Sequence, residues 1–370
     1  MKSKVAIVRC LDYQEKRVSE AMERIFQLLG GIDKFVKPNY RVLLKPNLLS
    51  ASFPEQGITT HPAIVKEVAK RIRDTGAKVM IGDSPGGPLN LDEVYEKTGM
   101  RKLARELDIE LVRFDKIEKI KSYPFAQVAL DCDCFISLPK FKTHSVTVIT
   151  AALKNSFGLV PGIYKTECHL HAPRPRDFAK VLADVFSIRP PNLIIIDGVV
   201  SMEGEGPAAG DLRNTGLILG GFDAVSLDVV LAGIIGINPF DVPTTSEAYR
   251  RNLGEADLKR IEISGEQLES VLVRDFRLPR QTLLNKLPRP VLNFVAHFVN
   301  TYPEVNNKTC RECAVCVKGC PAEAITIEDG ITRINHKLCI KCLCCFEFCP
   351  HNSIYLKKSL LLKLLGMLRR

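Results

Sequence analysis

The spacing Cys-x2-Cys-x2-Cys-x3-Cys-Pro occurs twice between Cys310 and Pro350, and no other stretch constrains the chain as tightly. The first copy is Cys310, Cys313, Cys316 and Cys320 before Pro321; the second is Cys339, Cys342, Cys345 and Cys349 before Pro350. Thiolates are soft ligands, and three on a tight turn can meet three metal atoms of one cluster while the chain continues toward a second. The proline after each fourth cysteine lacks an N–H and fixes φ, so the chain leaves the site in a defined direction. Ala324-Ile325 and Ser353-Ile354 follow at matching places, which suits short strands packed over each site, and the segment reads as a tandem duplication.

This run of cysteines is that of a bacterial two-cluster ferredoxin, in which three thiolates hold one 4Fe-4S cube and the fourth reaches across to the other. The expected ligand sets are Cys310, Cys313 and Cys316 with Cys349, and Cys339, Cys342 and Cys345 with Cys320. Two other readings compete. Disulfides require an oxidising compartment, and zinc favours paired knuckles over triplets followed by Cys-Pro. Cys344, between two expected ligands, is read as a packing residue.

A chain of 370 residues exceeds what one ordinary core organises, so two or three units are expected. With eight of the 13 cysteines in the repeat, Cys10, Cys132, Cys134 and Cys168 are scattered elsewhere, which points to a reducing, anaerobic cytoplasm. The first ten residues carry too short an apolar run for a signal peptide, and no stretch of about 18 apolar residues predicts a transmembrane helix. The formal charge of +10 is spread along the chain rather than gathered in a basic stripe, so nucleic acid is not an expected partner. A basic surface suits an acidic redox protein or substrate.

Along the first 270 residues, strands alternate with helices. The expected strands are Val5–Val8, Val42–Leu44, Lys78–Gly82, Leu111–Phe114, Phe135–Leu138, Leu193–Ile196 and Leu217–Leu219. The expected helices are Val18–Leu29, Pro62–Thr75, Leu91–Leu107, Asp177–Ser187 and Ala224–Ile235. This pattern predicts an α/β domain with a mainly parallel sheet covered by helices. A connector over 271–305, rich in proline and with a short amphipathic helix at 291–299, leads to a small α+β ferredoxin-type domain over 306–356. The tail, 357–370, is leucine-rich with Lys363, Arg369 and Arg370, and is read as a docking helix with weak membrane-surface contact as the alternative.

In an open α/β sheet the ligand crevice lies beyond the carboxyl ends of the strands. Four polar clusters are expected there: Lys45-Pro46-Asn47, Asp83 to Gly87, Lys140 to His144, and Asp197 to Gly206. The densest is Pro139 to His144, followed by Lys154-Asn155. Together they predict a cationic pocket for a small carboxylate or phosphate, with His144, Lys154, Lys142 and Asp83 as candidate catalytic groups. Lys45, Asn47, Lys140 and Asn155 are the candidate binding groups. Solvated loop charges are the simpler reading of any one of these lysines. A backbone nest or tight turn is an equal reading of Asp83 to Gly87. Glu203 and Glu205 suit either a cation site or a plain flexible loop, and His169 with His171 is not expected to bind metal. No Gly-x-Gly-x-x-Gly follows a strand, so no nicotinamide or flavin site is predicted.

Lys45-Pro46-Asn47, Gly82 to Pro85, Leu138 to His144, and Lys154-Asn155 with Gly158 and Pro161-Gly162 resemble the domain of unknown function 362 family. The resemblance covers about 40–355 and implies an architecture, often with a C-terminal two-cluster ferredoxin module, but no reaction. His144 to Lys154 and Pro161-Gly162 are also similar to the nickel-pincer lactate racemase family, where the lysine anchors the cofactor. The chain departs from that pattern, having Thr150-Ala151-Ala152-Leu153 in place of a Ser-Gly-Gly turn.

The leading expectation is an oxidoreductase with two 4Fe-4S clusters, fed by a soluble electron donor and acting on a small anionic substrate. A non-enzymatic electron carrier or assembly subunit is the alternative, and a pincer-type isomerase the third.

Overall fold

A computed structural model describes residues 3–279 and 301–358. The connector helix expected at 291–299 and the tail from 359 lie outside the described residues.

The central sheet takes ten strands from the first 265 residues. They are β1 (Ser3–Arg9), β2 (Arg41–Pro46), β3 (Lys78–Ile81), β4 (Glu110–Leu111), β7 (Cys134–Leu138), β8 (Lys140–His144), β9 (Val148–Thr150), β10 (Leu193–Glu203), β11 (Asp211–Gly221) and β12 (Ile261–Gly265), with a separate hairpin of β5 (Ile117–Ile120) and β6 (Tyr123–Ala126). The order is β12-β1-β11-β10-β7-β2-β3-β4, with β8 on β10 and β9 on β8. Only the pairings of β11 with its two neighbours and of β8 with β9 are antiparallel in this sheet, so it is mainly parallel.

Burial on both faces explains the apolar runs. Along β2, Val42 and Leu44 enter one core with helices α1 (Glu15–Leu29) and α2 (Pro62–Asp74), while Leu43 faces the other. Ile194, Ile195 and Ile196 of β10 divide the same way. Successive strand side chains point to opposite faces, so a strand covered on both sides must be apolar throughout.

Three local expectations differ from the structure. The single helix over 91–107 is two, α3 (Leu91–Lys97) and α4 (Met100–Glu106), because Gly99 sits at φ 77 between them. Lys140 to His144 is a fully buried strand rather than a loop past one. Asp197-Gly198 does not end β10, which shifts register between Gly198 and Val200 and runs to Glu203.

Further helices follow: α5 (Gln127–Asp131), α6 (Ala152–Asn155), α7 (Tyr164–His171), α8 (Pro175–Ile188), α9 (Ala224–Ile234) and α10 (Pro243–Arg250). From β2 the chain crosses to β3 and β4 on one side, whereas from β7 it crosses to β10 on the other. Strand order therefore reverses between β2 and β7, where an open α/β sheet leaves its ligand crevice.

The cysteine-rich unit repeats itself. It pairs β13 (Thr301–Val305) with β16 (Ile354–Lys358), and β14 (Ile325–Glu328) with β15 (Ile331–Ile334), and carries α11 (Val315–Lys318) and α12 (Cys344–Phe348). Cys310 N–H donates to Asn306 and Cys339 N–H to Asn335, both at 3.0 Å. This unit docks on the α/β unit through α12. The Phe348 ring lies against Gly86 and Gly87 after β3, where a side chain at either glycine would collide with it.

Candidate functional site

Two thiol-lined cavities lie in the cysteine-rich unit. Cys310, Cys313, Cys316 and Cys349 line one of about 350 Å³. Cys320, Cys339, Cys342 and Cys345 line another of about 330 Å³, together with Cys344. The groupings coincide with the two ligand sets expected from the spacing. Glu312 and Ala314 adopt positive φ (52 and 58), as do Lys341 and Leu343 (58 and 65) at the matching places of the second run. Non-glycine residues in this conformation are uncommon, and turns of this kind can gather backbone N–H groups into a concave nest for an anion. Ala324 and Ser353 N–H groups donate to Cys320 and Cys349 Sγ at 3.3 and 3.2 Å, as they would to bound thiolates. Among the described residues no three His, Cys, Asp or Glu side chains converge to hold a single metal ion. The cysteines instead ring a volume, which fits a four-iron cube better than a tetrahedral zinc.

The second cavity adjoins the crevice at the β2/β7 reversal. There an open cavity, about 500 Å³ with the adjoining solvent space, is lined at the ends of β2 and β3 by Lys45, Asn47 and Asp83, from α6 by Lys154 and Asn155, from α7 by Lys165 and His169, and from α12 by Glu347 and Phe348.

Its floor is a buried ion pair. Lys45 ends β2 and Asp83 follows β3, with Nζ and Oδ1 2.8 Å apart. Asp83 also accepts the N–H groups of Leu48 at 2.7 Å and Ser84 at 2.9 Å. Asn155 donates to Lys45 O at 3.2 Å and Ser137 Oγ at 2.8 Å, and its Oδ1 lies 3.3 Å from Lys45 Nζ, tying α6 to β2 and β7. A methyl at Gly158 would fall on both Asp83 Oδ1 and Lys45 Nζ, so the pair needs a glycine there.

Lys154 sits on α6, whose first N–H groups, from Ala152 and Leu153, are accepted by Asp228 of α9 at 2.7 and 3.3 Å. Its ammonium makes no hydrogen bond or ion pair among the described residues, and burial lowers its pKa. Lys165 donates to Ser84 O and to Pro85 O, and burial pushes it down to about 7.

His144 Nδ1 accepts the N–H groups of Val146 at 3.1 Å and Thr147 at 3.2 Å, which leaves the ring hydrogen of the neutral form on Nε2. That atom lies 3.1 Å from Glu347 Oε1 but off hydrogen-bond alignment, and both atoms are buried without an aligned partner. Burial, then Lys154, pushes His144 down to about 4, so it is neutral at pH 7. Burial would raise the Glu347 carboxyl, but His144, then Lys154 and His169, outweigh it and hold it down at about 2. With the imidazoles neutral at pH 7, Lys154 is the cation that still faces this carboxylate.

His169 is buried and stacks on Phe178, with centroids 4.1 Å apart, and burial pushes it down to about 4. A folded-state pKa below the ordinary 6.5 gives stability that is present above pH 6.5 and lost as pH falls through 4. His169 should therefore cost the fold up to about 3 kcal/mol on acidification across that window. Urea midpoints at pH 7 and pH 4 should show His169→Phe losing correspondingly less stability than the parent.

Not every expected residue reaches this cavity. Lys140 pairs with Asp197 at 2.9 Å and donates to Tyr13 Oη at 2.7 Å, a network beside the stacked Tyr13 and His61 rings. Lys142 donates to Ile58 O at 2.6 Å, and burial, then Lys154, lowers its pKa strongly. Both are spent inside the protein. Glu203 pairs with Arg277 at 2.8 Å, away from the cavity lining. The sequence reading missed Lys165, Glu347 and Phe348, and weighed His169 only as a metal ligand. The i, i+4 spacing of Lys165 and His169 was a usable signal, since it places both on one helical face.

A crevice of buried charges walled by a doubled thiolate unit defines an iron–sulfur protein with an α/β partner domain. The chain belongs to the family described as Domain of unknown function (DUF362), which matches residues 42–233, and a 4Fe-4S dicluster domain matches 302–350. It is 33% identical to a thylakoid-associated protein of Synechocystis sp. over 297 residues, 76% of this chain and 92% of that one. Among solved structures, the lactate racemase apoprotein of Thermoanaerobacterium thermosaccharolyticum aligns at TM-score 0.39 and 12% identity, over 61% of this chain and 56% of that one. A Thermotoga maritima protein aligns at 0.37 and 10%, over 66% and 60%. No helix among the described residues is long and apolar enough to cross a membrane.

Proposed function

We propose that the chain is an iron–sulfur oxidoreductase that takes electrons from a soluble donor and delivers them to a small anionic substrate in the cavity between its two units. The observation that carries this reading is the placement of Lys154. It is an unpaired cation facing a cavity whose opposite wall, Glu347 and Phe348, is supplied by the helix that also carries Cys345.

Each cysteine set would hold one 4Fe-4S cluster, and such clusters supply one-electron transfer. Cys313 is exposed and Cys342 and Cys345 are buried, which supports electron entry on the first side and delivery on the second. Lys154 binds the anion and Lys165 offers a proton near neutral pH, as reduction requires. Phe348 closes the cavity against the glycines, which limits water at the site. His144, held by two backbone N–H groups and facing Glu347, positions that carboxylate rather than the substrate. The reading also requires a reducing compartment.

Anaerobic purification with iron, sulfide and small-molecule analysis tests it. About eight irons per chain with a bound organic anion would support the reading. Fewer than about four irons, or zinc in their place, would overturn it.

A further inference from the structure

We infer that the cavity takes a small zwitterion, a molecule with a carboxylate and a protonated amine on the same carbon, as in a free α-amino acid. This rests on the cavity being the substrate site and narrows what that site accepts.

The argument comes from which polar groups remain unsatisfied. Lys45 and Asp83 neutralise each other, and Asn155 is engaged at both ends of its amide, so none of the three is left to recognise a ligand. What remains has both signs. Lys154 has no hydrogen bond or ion pair among the described residues, and Lys165 meets only neutral carbonyls. Against these stand two acceptors. Glu347 Oε1 lies 3.1 Å from His144 Nε2 but out of hydrogen-bond alignment with it, and the residue as a whole is 5% exposed. Asn47 Oδ1 is likewise buried with no donor.

A plain carboxylate would satisfy Lys154 but leave Asn47 Oδ1 unpaired and bring a second negative charge toward Glu347, where burial strengthens the repulsion. A plain amine would leave the lysines unpaired. Only a ligand with both groups answers both halves of the lining. Sites built to hydrogen-bond a group discriminate strongly against analogues that lack it.

The test uses the full-length, cluster-loaded protein under anaerobic conditions, titrated by calorimetry with the standard L-amino acids, the matching 2-hydroxy acids and the matching decarboxylated amines. At least one amino acid should bind at least ~10-fold tighter than both its analogues. Glu347→Gln should reduce that preference to about threefold or less without weakening the hydroxy acid. Asn47→Leu, remote in sequence from the cysteines, should reduce it as well, so a folding defect in one variant does not decide the matter. A hydroxy acid binding as tightly as its amino acid would overturn the zwitterion and leave the anionic-substrate reading standing. Failure of every compound to bind would overturn both.

Discussion

Asp83→Asn is expected to destabilise the α/β unit by about 3–5 kcal/mol, because it removes one partner of a buried ion pair and leaves the other charge uncompensated. Lys45 is 1% and Asp83 3% exposed, so water cannot take over the lost charge. Asp83 also accepts the Leu48 and Ser84 N–H groups. Asparagine can keep one of these contacts and cannot serve both with the same geometry. Gly158→Ala should have a similar effect by a different route, since the added methyl falls on both members of the pair. Urea denaturation reads both variants as a lower midpoint at unchanged slope. A loss below about 1 kcal/mol for Asp83→Asn would mean that Lys45 sheds its proton at little cost.

Lys154→Met should behave in the opposite way. Because Lys154 has no hydrogen bond or ion pair among the described residues, replacing it removes the cost of burying its charge but also the cation that faces Glu347, and the two offset each other to leave stability within about 1 kcal/mol of the parent. Ligand binding should nevertheless weaken by roughly 10- to 150-fold, the range for losing a hydrogen bond to a charged group. This pairing of intact stability with lost binding separates a ligand contact from a structural lysine. A drop in stability without a change in binding would move Lys154 into the scaffold.

Much of this arrangement was legible before the structure. The two cysteine sets followed from the spacing read as a two-cluster ferredoxin run, and Lys45, Asn47 and Asp83 were placed at the carboxyl ends of strands, with Lys154 and Asn155 after a helix-like run at the same pocket edge; all five line the cavity. Lys140 and Lys142 were misplaced for a physical reason. Lys-Phe-Lys-Thr-His alternates with the period of a strand, and its polarity suggested exposure although every member is buried. The charge of Lys140 is answered by Asp197, and Lys142 meets the Ile58 carbonyl. Neither pairing is local in sequence.

The wall formed by Glu347 and Phe348 was hidden for another reason. Within Cys345-Phe346-Glu347-Phe348-Cys349 these residues read as spacers between ligands, and nothing local shows that α12 faces a different unit. The slot of Gly86 and Gly87 that receives Phe348 read equally well as an ordinary turn. Contacts between units separated by more than 200 residues are set by the docking of complete surfaces, which no periodicity within one segment encodes.

The central claim, delivery of electrons from the cysteine-rich unit into the cavity, is tested most directly by anaerobic stopped-flow reoxidation of the chemically reduced protein with a panel of small carboxylates and amino acids. One class of compound should restore the oxidised visible spectrum in the parent and fail to do so in Lys154→Met at the same concentration. Reoxidation by none of them, or equally fast reoxidation in parent and variant, would contradict it.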